Sequence, residues 1–505
     1  MLPKHNKKIS GCKWKMIHFL FFIFFSFSSC KKFVEIPPPP NRITEDAVYT
    51  SDVTAISVLT AIYGAMNNSP FQVGGIDGSI SLFAGLSADE YTLISDFPNY
   101  VDYYRNELKQ LTPVLVSGGE HWAPLYGFIF KINAALEGLS GSSQITPAVK
   151  MQLIGEAKFI RAFCYFYLVN LFGDVPLALT TDAKINSLLE RSSTEKVYEE
   201  IITDLEEAIT MLSDDYLDAT LLKNTTERTR PTKWAALALL ARVYLYTGDF
   251  IKAADNATAV INNTTLFGSQ LPDLNSVFLK NSQEAIWQIQ PTEINFNTQE
   301  ARNLIIPATG PILDLNSVLV SKQLLSSFEK NDNRAVYGNW IDTTIFKVTD
   351  TKDDTMAYVF KYKLFENDPN ITTSSGTSNM NEYFMVLRLA EQYLIRAEAR
   401  VQLGDINGAQ DDLNTIRNRA GLDPTTVVDK NSLLSAILHE RQVELFSEWG
   451  HRWFDLKRTG KIDEVMEVVT PLKANGNAWQ SYKQLYPIPL SELRSAPNLK
   501  QNAGY

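Results

Sequence analysis

The sequence predicts a mainly α-helical protein, in which antiparallel helix pairs stack into an α-α superhelix and long loop-rich insertions carry a few short β-strands. Three observations lead to this class. Apolar residues recur at helical spacing along most of the 505 residues. One long stretch is apolar on every side, and a motif of two helices joined by Gly-Asp occurs twice. With 45% hydrophobic and 21% charged residues, the chain has the composition of a globular protein.

The first 29 residues have the layout of a secretory signal peptide. Five lysines precede an apolar run over Met16–Phe27, which is too short to span a bilayer as a stable anchor. Two serines then precede Cys30, an order similar to a lipobox, in which the cysteine is lipidated and becomes the new N-terminus. We therefore expect a lipoprotein signal peptide over 1–29 and lipidation at Cys30. The alternative is an ordinary signal peptide followed by an incidental cysteine.

Residues 30–42 follow as a lipidated cysteine and a Pro-rich tether, which should hold the body of the protein away from a membrane. Removing the five lysines of the signal from the 47 basic residues leaves 42 against 57 acidic residues, a formal charge of −15. Nucleic acid is therefore not an expected partner. Loss of Cys12 and lipidation of Cys30 leave only Cys164, so the protein must rely on its core and not on a disulfide.

Helical periodicity gives the first elements in order. A helix is predicted after a Ser51 cap, and a second one begins at Trp122. Their apolar positions are Val53, Ile56, Leu59, Tyr63 and Met66 in the first helix, and Trp122, Leu125, Tyr126, Ile129, Ile132 and Leu136 in the second. Each helix therefore has one face that must pack against another element.

The central element is predicted within Leu153–Leu177. Every residue of Ala162–Val169 is apolar or aromatic. A helix without a polar face has to be enclosed by other helices, so we expect a buried strut. Gly173 suits a left-handed helix cap and Pro176 cannot continue a helix, so the strut should end near Phe172.

Ser192 and Glu195 form a capping box that predicts the start of the next helix. A repeated motif follows this helix. Ala241–Ile261 aligns with Ala397–Arg417 through a small residue, a Gly-Asp turn and a second small residue. This arrangement lets two antiparallel helices pack closely and is similar to the tetratricopeptide (TPR) repeat. Asn431–Trp449 is expected to contribute to a last pair, completing a TPR-like helix-pair scaffold.

The helical pattern fails over Ser69–Val116 and Leu266–Glu382, which are rich in Asn, Asp, Thr, Gly and Pro. Short apolar runs there predict loops with a few strands, and loops of this length usually carry function. We therefore predict one domain over 43–505, with a helical scaffold at 43–265 and 383–505. The ligand-binding insertion is predicted at 266–382.

Three groups of residues form recognisable motifs. The first lies in the strut and comprises Glu156, Ala157, Arg161, Ala162, Leu168, Phe172, Gly173, Asp174 and Pro176. The second comprises Glu440, Arg441, Glu444, Leu445, Glu448, Gly450, Arg452, Trp453, Asp455, Leu456 and Arg458. The third is the C-terminal stretch 486–505, in which Ala503 replaces a usual Pro. Together they resemble the SusD/RagB family of nutrient-uptake outer-membrane lipoproteins.

The resemblance covers most of the chain and implies a function. Such a protein is lipid-anchored at the outer membrane, facing the cell surface, and captures oligosaccharides or polysaccharide. It delivers them to a SusC-like TonB-dependent transporter and needs no cofactor. Lys31 and Lys32 depart from the acidic residues that often accompany surface export in this family. A TPR-type scaffold or peptide-binding lipoprotein without sugar affinity is the alternative.

Glu440, Glu444 and Glu448 recur at helical spacing and place three carboxylates on one stripe. They would repel one another unless cations lie against them. A metal or acid/base site is possible for such a stripe, but we favour a structural ion-pair network. Its predicted members are Glu156, Arg161, Arg396, Glu440, Arg441, Glu444, Glu448 and Arg452.

No enzyme is predicted, because the sequence lacks a nucleophile elbow, a phosphate loop and a dinucleotide fingerprint. His439 and Glu440 match half of a zinc-protease motif, but Val443 stands at the second histidine position. No metal site is predicted either. A glycosidase needs only two carboxylates, so that class stays open at this stage.

Aromatic residues in the two loop-rich regions suit a sugar site, because an aromatic face packs against the apolar C–H face of a sugar. The predicted glycan-binding residues are Phe97, Tyr100, Tyr103, Tyr104, Tyr337 and Trp340. Asn99, Asn106 and Asn339 stand beside them and could bond sugar hydroxyls. Any single one of these rings could instead belong to the local core. Trp287, which alternates with Ile286 and Ile289, is predicted to be a core residue.

Overall fold

The computed structural model describes residues 48–67, 79–95, 98–109, 119–292, 297–312, 318–349, 352–364, 380–473 and 476–505. Within these residues the chain forms eighteen α-helices and six β-strands, joined by loops. The helices are α1 (Asp52–Met66), α2 (Ile80–Ser87), α3 (Pro98–Tyr104), α4 (Trp122–Gly141), α5 (Pro147–Phe172), α6 (Ala183–Asn186), α7 (Thr194–Met211), α8 (Lys233–Thr247), α9 (Phe250–Ile261), α10 (Thr264–Phe267), α11 (Gln299–Leu304), α12 (Lys322–Ser327), α13 (Leu389–Leu403), α14 (Ile406–Arg419), α15 (Lys430–Glu444), α16 (His451–Arg458), α17 (Ile462–Val469) and α18 (Leu490–Ser495). The strands are β1 (Tyr91–Leu93), β2 (Ala285–Ile289), β3 (Val318–Val320), β4 (Ile341–Thr349), β5 (Lys352–Val359) and β6 (Phe384–Arg388).

Helix α5 is the buried strut that the sequence predicts. All residues of Ala162–Val169 are buried, including the thiol of Cys164, and the helix packs against α1, α4 and α7. It ends at Phe172, as predicted. Gly173 has φ +74° and ψ −130°, so the predicted left-handed helical cap is wrong, although this backbone conformation still favours glycine.

The two Gly-Asp motifs form equivalent helix pairs, α8 with α9 and α13 with α14. Gly248 and Gly404 both adopt the left-handed conformation that ends the first helix. Asp249 and Asp405 then cap the second helix of their respective pairs, because each side chain accepts a hydrogen bond from a backbone N–H. Helices α9 and α13 pack against each other, so copies that are far apart in sequence are neighbours in space. The helix-pair scaffold is therefore confirmed, while its assignment to the TPR class stays a prediction.

One predicted helix cap differs from the structure. Ser193, and not Ser192, caps α7 by accepting a hydrogen bond from the Lys196 N–H. The segment predicted to contribute to the last helix pair, Asn431–Trp449, contains most of α15 and the turn after it, where Ser447 and Trp449 have positive φ angles before α16 begins.

The strands form three two-stranded antiparallel sheets, β1 with β3, β2 with β6, and β4 with β5. Strands β2 and β6 are buried along their whole length and pack against α8 and α13. Trp287 in β2 is completely buried, which confirms it as a core residue. Residues 49–505 form one compact unit.

Helix α16 can approach α2 closely because Gly450 precedes it. Gly450 has φ +71°, and a methyl group placed on it would lie 2.7 Å from the Cβ of Ala84. Any larger residue at this position must therefore adopt a strained backbone and also push α2 away.

We expect Gly450→Ala to destabilise the protein more than Gly460→Ala. Gly460 has φ +66° but nothing within 4 Å of an added methyl group, so only the backbone cost of about 1–2 kcal/mol applies there. Urea denaturation of both variants measures the difference. Equal losses of stability would show that the contact between α2 and α16 adapts without cost.

Candidate functional site

The two loop-rich insertions meet at the β1–β3 sheet. Tyr91 pairs with Val320 and Leu93 with Val318. The Ser321 N–H also donates to the Glu90 carbonyl oxygen at 2.9 Å. Loops that are more than 200 residues apart in the chain therefore leave the scaffold side by side.

A small apolar cluster supports this junction. It consists of Ile306, Met356 and Tyr358, with Ile94 and Leu319 packed against it. Strand β5 contacts β3, so the β4–β5 hairpin lies on the β1–β3 sheet. We call the surface formed by the described ends of the two insertions and this hairpin the loop face.

Four of the six predicted sugar-contacting rings are core residues. Tyr100, Tyr103, Tyr104 and Trp340 are all buried, and Tyr103 and Trp340 have no exposed surface. In this structure these side chains cannot contact a sugar directly, so the prediction that they do is wrong. Their packing in the core fixes the ends of the loops instead.

Two contacts explain why these rings are buried. The Tyr103 ring stacks on Phe83 with a centroid distance of 4.1 Å, and its hydroxyl donates to Glu120. The Trp340 indole donates from Nε1 to the Leu274 carbonyl oxygen at 2.9 Å, and the Lys361 Nζ lies 4.6 Å from its ring. A buried indole with a satisfied N–H is a typical core residue.

Tyr337 is the one predicted ring that is open to solvent among those described, with 61% of its surface exposed. Phe97 and the Asn99 side chain lie outside the described residues. The turn after Tyr337 is well fixed, because Lys363 Nζ donates to the carbonyl oxygens of Gly338 and Asn339. Burial lowers the pKa of Lys363 to about 8. Tyr337 is therefore an exposed ring on an ordered turn.

The asparagines predicted to bond sugar hydroxyls are used by the protein itself. Asn339 Nδ2 donates to the Asn333 carbonyl oxygen at 2.7 Å, and its Oδ1 accepts from Asn275. Asn106 is buried and donates to Thr470. Neither side chain is available for a ligand without losing these bonds.

A buried group of charges lies behind Trp340, and we call it the ion-pair hub. Its members are Glu284, Arg334, Arg388, Arg419, Glu444 and Glu448. Arg388 contacts three carboxylates, those of Glu284 at 2.7 Å, Glu444 at 2.6 Å and Glu448 at 2.7 Å. Although burial alone would raise it, Arg419, Arg388 and Arg334 hold the pKa of Glu444 well below its usual range.

The glutamate stripe is thus neutralised by cations other than those predicted. Arg334 pairs with both Glu440 and Glu444, and Lys361 pairs with Glu448 at 2.5 Å. Neither cation was predicted, because Arg334 and Lys361 lie in the insertion, distant in sequence from the stripe. The only available signal was that three like charges on one stripe require cations.

The four arginines that we expected opposite the stripe pair elsewhere. Their partners are Asp204 for Arg161, Asp412 for Arg396, Asp455 for Arg441 and Asp89 for Arg452. Glu156 pairs with Arg230 at 2.8 Å and accepts a hydrogen bond from Tyr63. The predicted pairing is therefore wrong, although each of these side chains is buried in an ion pair. Within the described ranges no three His, Cys, Asp or Glu side chains are grouped as metal ligands would be.

Comparison with known proteins identifies the family behind this architecture. A family model described as the SusD family matches residues 326–505, and a second, described as starch-binding associating with outer membrane, matches residues 89–245. The chain belongs to the SusD/RagB family. The two matched ranges contain the strut, strand β1, the β4–β5 hairpin and every member of the ion-pair hub except Glu284, which lies between the two ranges together with β3.

Similar SusD proteins cover nearly the whole chain. SusD-like protein P25 of Formosa agariphila is 24% identical over 96% of this chain and 98% of its own length. The starch-binding protein SusD of Bacteroides thetaiotaomicron is 35% identical over 125 residues, which are 24% of this chain and 21% of that protein. A SusD superfamily structure from Parabacteroides distasonis superposes with a TM-score of 0.73 at 25% identity, covering 90% of this chain and 99% of that one.

The SusD motifs are thereby given physical roles. Motif residues Glu444 and Glu448 belong to the ion-pair hub, and Arg458 pairs with Glu398 and Asp455. These residues hold helices together and do not line the loop face. Across the part of the chain that is described, no helix is long and apolar enough to cross a membrane.

We expect Arg388→Met to destabilise the protein by about 3–5 kcal/mol, because it leaves buried carboxylates without their shared cation. The control is Lys461→Met, which breaks an exposed ion pair with Glu464 and should cost at most about 1 kcal/mol. Chemical denaturation followed by circular dichroism gives both values. If Arg388→Met is as mild as the control, the hub does not stabilise the fold.

Proposed function

We propose that this SusD-family protein binds a glycan at its loop face, without catalysis, and passes it to a SusC-like TonB-dependent transporter. One observation carries the proposal: the β1–β3 pairing holds the two loop-rich insertions together on a rigid helical scaffold. Loops on a fixed scaffold are the usual location of binding residues. The relative named starch-binding protein SusD, which shares part of this sequence, supports a glycan as the ligand class.

Tyr337 is the described residue that we propose to contact the sugar. Its exposed ring can pack against the apolar C–H face of a pyranose, an interaction that binds a sugar without any chemistry. The ordered turn beneath it means that little conformational entropy is lost on binding. Phe97 is proposed as a second stacking residue from its sequence position alone.

The raised pKa of the Glu90 carboxyl, near the loop face, does not support glycosidase activity. Burial and the neighbouring Asp89 raise the pKa of Glu90 to about 8, a shift that a general acid could use. However, Glu90 is 1% exposed and its Oε1 accepts a hydrogen bond from the Ser447 N–H. A substrate oxygen cannot reach it in this structure, so the shift favours a structural role.

Delivery to a transporter gives binding its purpose. A tethered binder only raises the local concentration of its ligand, and a large oligosaccharide still needs a channel. We propose that Cys30 anchors the protein at the outer membrane, facing the cell surface, beside such a channel. Stacked helix pairs offer a broad rigid surface for a permanent complex, whose interface usually exceeds about 2,000 Å².

Tyr337→Ala should weaken glycan binding by about 1–3 kcal/mol while leaving the fold intact, as expected for loss of one stacking ring. Phe130→Ala is the matched control, because Phe130 is also exposed, at 53%, but lies on α4 away from the loop face. Calorimetric titration with starch-derived and laminarin-derived oligosaccharides measures both.

Equal affinities of the two variants would remove Tyr337 from the site. Release of shorter sugars by the pure protein would contradict binding without catalysis. Binding of peptides, with no affinity for any glycan tested, would favour the peptide-binding alternative.

Cys30→Ala should move the protein from membrane to soluble fractions and abolish incorporation of labelled fatty acid. Cys164→Ala is the control, because Cys164 is buried in α5 and should not affect either readout. In the same experiment, detergent-solubilised wild-type protein should co-purify with a large β-barrel. Labelling that persists in Cys30→Ala would disprove the anchor, and recovery of the lipoprotein alone after crosslinking would disprove the transporter complex.

A further inference from the structure

A cavity lies in the helix scaffold and shares no lining residue with the loop face. Its volume is about 590 Å³, within the usual range for small-molecule sites. Residues of α8, α9, α13, α15 and α16 and the short links beside them line it. Helices α8 and α13 are the first helices of the two Gly-Asp pairs, and α13 packs against α15. We call it the helix-stack pocket.

The charges that line the helix-stack pocket already have partners. Both Nη atoms of Arg458 bind the Glu398 carboxylate, at 2.6 and 2.7 Å, and its Nε binds Asp455 at 2.7 Å. Lys461 pairs with Glu464 at 2.9 Å. An anionic ligand would have to break one of these pairs, so the lining favours a neutral ligand.

Three neutral polar groups of the lining remain available. Within the described residues, the Tyr246 hydroxyl and the side-chain amides of Gln402 and Asn431 form no hydrogen bond. Hydroxyl and amide groups can each donate and accept, as the hydroxyls of a sugar do. They lie on three different helices or their ends, so they approach the cavity from different sides.

Two aromatic rings belong to the apolar part of the lining, beside Leu245, Leu434 and Leu438. The Tyr246 ring is fixed by an edge contact with Phe166, at a centroid distance of 5.1 Å, and by the Arg458 guanidinium at 5.3 Å. Phe250 stands nearby at the start of α9 and is half-buried. Fixed rings beside uncommitted hydroxyl and amide groups match the alternating C–H and O–H surface of a saccharide.

We propose that the helix-stack pocket is a second binding site, for a neutral saccharide, separate from the loop face. The ligand class in this proposal rests on the proposed function, whereas its binding residues are independent of the loop face. Two sites on one molecule would let a single long glycan chain, or two chains, be held at once.

The test combines hydrogen exchange with titration, using maltoheptaose and laminarihexaose as probes and an oligogalacturonate as the anionic comparison. We expect slower exchange at residues 398–402 and 431–438 when a neutral probe is added. Gln402→Ala/Asn431→Ala should lose at least tenfold in affinity at this site, and Tyr246→Phe should lose a smaller factor. Gln270→Ala/Asn407→Ala is the control, because both side chains are exposed outside the pocket.

The outcomes separate this site from the loop face. Protection that survives Tyr337→Ala but disappears in the double variant supports the second site, even if loop-face binding proves absent. Binding without protection at these segments, with the double variant equal to wild type, overturns the second site and leaves the proposed function standing. Protection by the oligogalacturonate alone overturns the neutral ligand class, and no binding of either neutral probe overturns the inference.

Discussion

The rest of the structure depends on the pairing of buried charges around Arg388. A charge removed from water is stable only when it is paired and hydrogen-bonded, and Arg388 satisfies three carboxylates from two distant regions of the chain. It stands at the end of β6, and Glu284 immediately precedes β2. Glu444 is the last residue of α15, and Glu448 lies in the turn that follows. None of these elements can move away without exposing a carboxylate to an apolar interior. The hub therefore fixes the position of the scaffold relative to the base of the insertion.

Trp340 extends this constraint toward the loop face. The guanidinium groups of Arg388 and Arg419 lie 5.7 and 5.4 Å from its ring, and Lys361 approaches it as well. An aromatic ring against three cations neutralised by carboxylates is costly to displace. Since Trp340 immediately precedes β4, the hairpin that forms part of the loop face begins from a fixed point. The buried charges of the ion-pair hub therefore help to fix the conformation of the loop face.

The helical scaffold could be predicted from the sequence because its signals are local. Apolar spacing, the Gly-Asp turns and the unbroken apolar run of α5 each act within a few residues, and the structure has the expected helices there. The turn after Glu444 is different, because its positive φ angles at Ser447 and Trp449 accompany tertiary contacts such as the hydrogen bond that the Trp449 Nε1 donates to the Met385 carbonyl oxygen. Such contacts leave no local pattern.

The sequence indicates a region for the proposed site but not which of its rings face solvent. Aromatic residues in polar loops indicated a binding region, but composition does not tell whether a ring such as Tyr103 faces solvent or stacks on Phe83. Cys164 is fully buried and burial raises the pKa of its thiol, so thiol reagents should not modify it. Once residues 1–29 are absent and Cys30 is acylated or replaced, the protein would offer no reactive thiol of its own, and a single cysteine engineered into either proposed binding surface could carry a spectroscopic probe of unambiguous position.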